Sequence, residues 1–357
     1  MDGRDACSDS TPLRYLDPHG TVVTPLPEAL AQRDGLVRLY RAMTLTRSFD
    51  AKVVALQRTG QVGTYASTLG QEAIGVGLGS AMQADDLLLP SYRDTAAQIL
   101  RGVQLHELLL YWGGDERGSA FAGPHEDFPI CVPVGTQYCH AAGVATAFQL
   151  RRQARVAVVT GGDGSTSKGD FYEALNLAGA WRLPVVFVIN NNRWAISVPL
   201  ERQSGTVVLA DKARAGGFPG VRVDGNDVVA VQAVVAAALD RARGGDGPTL
   251  VEALSYRLGD HTTADDAGRY RDAEEVSRHW AEDPLLRLRN YLVAEHGWNK
   301  ADEEALLDGC AAEIEAAVSA FQAAPPDPPE AMFDHLHATL PKALVEQRAD
   351  LARGLRR

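Results

Sequence analysis

Asp163 and Asn192 are two oxygen-bearing side chains placed so that together they could hold a divalent cation. Asp163 sits in the turn Gly162-Asp163-Gly164, just after the apolar run Val156-Ala157-Val158-Val159. Asn192 follows 29 positions later, after a second apolar run from Val185 to Ile189. A strand, a helix and a second strand fit between them. Both residues are therefore expected at the C-terminal edge of a parallel sheet, where α/β folds bind ligands. Carboxylate and amide oxygens are hard donors that suit magnesium, and that ion commonly keeps positions open for substrate phosphates. An Asp in such a turn ordinarily just hydrogen-bonds its own backbone. The flanking glycines and the matched Asn192 point instead to a magnesium-bridged diphosphate.

Three further features bear on chemistry. Tyr92-Arg93 follows the short apolar run Leu87-Leu88-Leu89. An Arg in that position is ordinarily a surface cation, but its planar fork can make two charge-assisted bonds to a phosphate. His261 lies just beyond the expected strand 249–256. A histidine there is ordinarily structural, but it is also the side chain that titrates nearest neutrality and can move protons. The run Gly75-Val76-Gly77-Leu78-Gly79-Ser80 does not complete G-x-G-x-x-G and no strand precedes it. Its glycines are expected to serve close helix packing rather than a dinucleotide.

The elements that must position these residues alternate. Apolar spacing gives an amphipathic helix from Leu36 to Leu56. Residues 71–82 are rich in Gly and Ala, and a short buried strand at Leu87–Leu89 comes next. The loop from Gly113 to Pro133 is long and Gly-rich enough to suspect function. Strand 156–160, helix 169–182 and strand 185–189 follow, then a strand at Val221–Val223. Asp224-Gly225-Asn226-Asp227 caps a helix from Val228 to about Arg243, and 249–256 is one more strand. This alternation implies an α/β fold with a doubly wound parallel sheet. Residues 1–35, rich in Pro and Asp, read as an arm; 36–272 as the α/β domain; and 273–357 as a helical extension with a hinge at Pro325–Pro329.

Composition narrows the class. The chain has 357 residues, 45% hydrophobic and 23% charged, enough for a sizeable core. A net charge of −11 argues against nucleic acid, whose phosphates need a basic footprint. No apolar run approaches a membrane span. The N-terminal stretch lacks the features of a signal or transit peptide, so a cytoplasmic protein is expected. Cys7, Cys131, Cys139 and Cys310 read as ordinary reduced thiols.

The stretch GDGSTSKGDFYEALNLAGAWRLPVVFVINNNRWAIS resembles the thiamine diphosphate signature. More closely, it is similar to the alpha subunit of the decarboxylating component of 2-oxo acid dehydrogenase complexes, a likeness that runs from about Leu13 to the C-terminus. The resemblance implies that magnesium takes the Asp163 carboxylate, the Asn192 side-chain oxygen and the Trp194 backbone carbonyl. Gly162, Gly164 and Ser165 would line the diphosphate, and Tyr92-Arg93 would grip its terminal phosphate. Backbone atoms of Val132 and Val134 would meet the aminopyrimidine. His261 would be an active-site histidine beside the cofactor, positioning the substrate carboxylate and assisting proton transfer. A second active-site histidine is expected before Gly135-Thr136-Gln137. Here His125 offers itself, with Arg117 or no residue as alternatives.

By the same resemblance, thiamine diphosphate decarboxylates a 2-oxo acid and the acyl group passes reductively to a lipoyl group on an acyltransferase. A beta subunit would supply the pyrimidine half of the site, giving an α2β2 heterotetramer with the cofactor between α and β. LPSYRD, GDFYEALNLAGA and NNNRWAIS look closer to pyruvate enzymes, whereas RVDGND and YRLGDH also occur in branched-chain ones acting on 3-methyl-2-oxobutanoate. Two other readings compete. A nicotinamide-linked Rossmann oxidoreductase would need a complete glycine fingerprint. A degenerate, non-catalytic subunit would not need Asp163, Asn192, Tyr92, Arg93 and His261 all present.

Overall fold

The computed structural model describes residues 11–354 except residue 335. Its centre is a sheet of five strands: β1 (Leu87–Leu89), β2 (Ala157–Gly162), β3 (Val185–Asn191), β6 (Gly220–Asp224) and β7 (Thr249–Leu254). They lie in the order β1-β2-β3-β7-β6, and every pairing is parallel. A separate two-stranded ladder joins β4 (Trp194–Ala195) to β5 (Val198–Pro199).

The continuous apolar runs of β2 and β3 suit strands buried on both faces, as parallel sheets require. Alternate residues of β3 enter different cores. Val185, Phe187 and Ile189 pack with the helices Thr136–Leu150 and Gly169–Trp181. Val186 and Val188 pack with the helices Glu72–Ala81 and Val228–Arg243. A third core joins the helix Arg33–Arg58 to the helices Leu105–Gly113, Pro284–His296 and Lys300–Ala323. The helical C-terminal segment is thus anchored to the first long helix.

The N-terminal segment docks on the sheet edge. Leu13 bridges Val223 of β6 in parallel. Oδ2 of Asp227 accepts from the amides of Tyr15 and Leu16 at 2.7 and 2.8 Å. Oδ1 of the same side chain caps the helix Val228–Arg243 through Val229 and Ala230. One carboxylate thus starts a helix and fastens the arm.

The glycines of the helix Glu72–Ala81 do serve packing. A Cβ on Gly77 would stand 2.6 Å from Val231 Cγ1, and one on Gly75 would stand 2.8 Å from Ala96 Cβ. Several boundaries and elements differ from expectation. The first helix runs Arg33–Arg58, and β7 stops at Leu254. The helices Thr95–Arg101, Leu105–Gly113 and Thr136–Leu150, like the β4–β5 ladder, were not foreseen. Cys131 is partly buried, Cys139 exposed and Cys310 buried, all as free thiols, while Cys7 lies outside the described residues. No helix among the described residues is long and apolar enough to cross a membrane.

Candidate active site

The parallel register sets Gly162 of β2 beside Asn190 of β3. The loops that follow them therefore leave the sheet together and line one cavity of about 640 Å³. Tyr92, Arg93, Val132, Val134, Gly162, Asp163, Gly164, Ser165, Asn192, Trp194 and His261 all line it. Of the expected site residues, His125 and its alternative Arg117 are missing from the walls: His125 is exposed in a turn where its amide donates to the Gly123 carbonyl, and Arg117 pairs with Asp115.

Asp163 opens a 3-10 turn, Asp163–Ser167, that precedes the helix Gly169–Trp181. The backbone of this turn lies next to the carboxylate. Thr166 Oγ1 and Gln203 Nε2 both donate to the Asp163 carbonyl, at 2.7 and 3.1 Å. Ser165 Oγ lies 2.5 Å from the hydroxyl of the buried Tyr138. Only glycine fits at 161, because a Cβ there would come within 1.9 Å of that hydroxyl oxygen.

The Asp163 carboxyl is buried, and its Oδ2 has no hydrogen-bond partner. Burial pushes its pKa up to about 6, although its own backbone amide, Arg257, the Asn192 amide and Arg93 all favour the ionised form. A buried anion with an orphaned oxygen is a strong ligand for a cation, and an ion there would restore the charged state. Among the described residues no cluster of three or more His, Cys, Asp and Glu side chains could hold a metal. A single carboxylate with amide and carbonyl oxygens suits magnesium completed by phosphate oxygens. The Trp194 carbonyl also accepts from Arg257 Nη1 at 3.2 Å, which uses one of its two lone pairs.

Asn192 and its neighbours shape their own loop. Trp194 N–H donates to Asn192 Oδ1, and Arg193 N–H donates to Asn191 Oδ1, each at 3.2 Å. Arg193 and Ile196 adopt positive φ of 68° and 57°, which turns the chain back into the β4–β5 ladder. Asn191 also donates to the buried Glu252 at 2.7 Å, so its role is structural.

Arg93 reaches across the cavity. Nη1 donates to the Ser67 carbonyl at 2.6 Å, and Nη2 to the His261 carbonyl at 2.5 Å. Nη2 also lies 2.9 Å from His261 Nδ1. A guanidinium can only donate, so Nδ1 must accept, and the neutral ring carries its proton on Nε2. Burial first, then Arg93 and Arg257, lowers the His261 pKa to about 4. The Tyr92 ring stands edge-on to the imidazole.

Two contributors escaped sequence reasoning. Arg257 is buried in the cavity wall and donates to the Ile196 carbonyl at 2.7 Å. It lies in the same motif as His261, which alone drew notice. Gln71, buried before the Gly-rich helix, faces both Asn190 and Asn192.

The parallel sheet and this cavity define an α/β ligand-binding protein with its site at the strand ends. The dehydrogenase E1 component family matches residues 40–330, and the chain belongs to that family. It is 38% identical to the pyruvate dehydrogenase E1 component subunit alpha of Mycoplasma genitalium, covering 95% of each chain. It is 40% identical to the protein of the same name from Acholeplasma laidlawii, over 84% of this chain and 87% of that one. It is 44% identical to the 3-methyl-2-oxobutanoate dehydrogenase subunit alpha of Mycobacterium tuberculosis, over 83% of this chain and 81% of that one.

Proposed function

We propose that the chain is the diphosphate-binding half of a thiamine diphosphate- and magnesium-dependent 2-oxo acid dehydrogenase, on a doubly wound sheet. The observation that carries this reading is the buried Asp163 carboxylate, with its orphaned oxygen, sharing a cavity with Asn192 and the Arg93–His261 pair. Asp163, Asn192 and the Trp194 carbonyl hold magnesium. Gly162, Gly164 and Ser165 line the diphosphate, and Tyr92 and Arg93 take its terminal phosphate. When bound, thiamine diphosphate supplies the carbon nucleophile and the electron sink for decarboxylation.

The chain's own residues bind, orient and exclude water. The backbone at Val132 and Val134 faces the pyrimidine. His261, neutral and held through Nδ1, presents its Nε2 proton to the substrate carboxylate. His125 stands exposed, and a second histidine role for it would require movement of its loop.

Among the described residues, none lining the cavity is a glutamate. A beta subunit supplies the glutamate that protonates the aminopyrimidine and covers the exposed Val132, Val134 and Ile196, in an α2β2 assembly that acylates a lipoyl-bearing acyltransferase. The cytoplasm is the expected compartment. The chain divides into an arm, residues 1–35, an α/β domain, 36–272, and a helical extension, 273–357.

Pyruvate is the proposed substrate, supported by relatives matched along nearly the whole chain. A second reading, 3-methyl-2-oxobutanoate, is favoured by the higher identity to the mycobacterial protein. Turnover of the chain co-expressed with its beta partner, measured on both acids, tests the choice. A higher kcat/KM for 3-methyl-2-oxobutanoate than for pyruvate would reverse the order, and turnover of neither would remove the reading.

A further inference from the structure

Gln71 precedes the helix Glu72–Ala81 on a rigid platform. Its amide donates to the Thr68 carbonyl at 2.8 Å, and the Thr68 amide donates to the buried Asp50 at 2.7 Å. Next to it, Glu72 is fully buried and paired with Arg47 at 2.7 Å, and it also accepts from the Gly70 amide.

The orientation of the amides follows from donor logic. Trp194 N–H can only donate, so the atom of Asn192 facing it is Oδ1. Asn192 Nδ2 therefore faces Gln71, and the Gln71 atom 3.1 Å away must be the acceptor Oε1. The same Oε1 accepts from Asn190 Nδ2 at 2.7 Å. One oxygen thus gathers two asparagine amides from the end of β3. Gln71 Nε2 is left buried in the cavity wall without a partner.

Resting on the diphosphate site proposed above, we infer that Gln71 is a positioning residue: its Oε1, together with the Trp194 N–H, fixes the Asn192 side-chain amide so that oxygen, not nitrogen, is offered to the metal. An Asn side chain presents oxygen or nitrogen after a simple flip of the amide, and only the oxygen binds a hard cation. Outer partners that orient metal ligands are typically worth 10- to 100-fold in affinity.

The test is magnesium binding by calorimetry, in the chain assembled with its beta partner at saturating thiamine diphosphate. Gln71→Met removes the acceptor at similar length, whereas Gln71→Glu keeps it. The expected result is a magnesium affinity about 10- to 100-fold weaker in Gln71→Met, near wild type in Gln71→Glu, with KM for the oxo acid unmoved in both. Equal affinity in Gln71→Met and wild type would overturn the inference, as would equal losses in both variants. If the wild-type assembly itself shows no magnesium-dependent binding, the site reading fails, not the role of Gln71 alone.

Discussion

Arg93 Nη2 lies 2.9 Å from His261 Nδ1 and 2.5 Å from the His261 carbonyl oxygen. One guanidinium therefore fixes both the tautomer and the backbone of the histidine. Burial first, and then this same cation, disfavour the charged form of the imidazole.

Arg93→Lys should accordingly cost more than a conservative exchange. An ammonium is a point donor and cannot span Ser67, His261 and a phosphate with the fixed fork of a guanidinium. The expected outcome is thiamine diphosphate affinity lowered by about 10-fold or more, read by calorimetry on the assembled enzyme. Unchanged affinity would remove Arg93 from the cofactor grip.

His261→Ala should separate binding from turnover. Cofactor affinity stays within about an order of magnitude while lipoyl acylation falls by about 100-fold or more, as for groups that serve acid–base steps. Rapid-mixing measurement of acyl transfer gives the rate, and an undiminished rate excludes the assignment.

The same histidine sets a pH dependence in the cofactor-free chain. Its folded pKa, about 4, lies below the ordinary 6.5. Between those values the unfolded chain binds more protons than the folded one, so stability falls as pH is lowered through the window. Above 6.5 the two states match and nothing is lost. Thermal melting from pH 7 to pH 4 should show a smaller acid loss in His261→Gln than in wild type. Parallel curves would contradict the neutral-ring account.

Gly77→Val should act on packing alone. The added side chain meets Val231 across the helix crossing, where even a Cβ would be 2.6 Å away. Overpacking of this kind typically costs about 1–3 kcal/mol. The predicted result is a lower melting temperature with unchanged cofactor affinity in the fraction that remains folded. A selective loss of cofactor binding would restore a ligand role for the Gly-rich run.

What was legible in the sequence follows from range. β2 and β3 declare themselves through apolar runs, and Asp163 and Asn192 sit at fixed offsets from those runs. The parallel register does the rest. The helix Thr136–Leu150 was missed because its small residues are spread around its circumference, leaving no clear stripe. Gln71 was missed because its partners lie 119 and 121 positions away, and no local pattern encodes such a contact. His125 drew attention as the histidine nearest the expected place, but its loop folds so that the side chain stands outside the cavity.

The central claim is that Asp163 holds the ion that clamps the diphosphate. Calorimetric titration of thiamine diphosphate into the assembled enzyme, with and without magnesium, in wild type and Asp163→Ala, tests it most directly. The account predicts binding that requires magnesium in wild type and no magnesium-dependent component in Asp163→Ala. Equal, magnesium-dependent affinity in both proteins would contradict it.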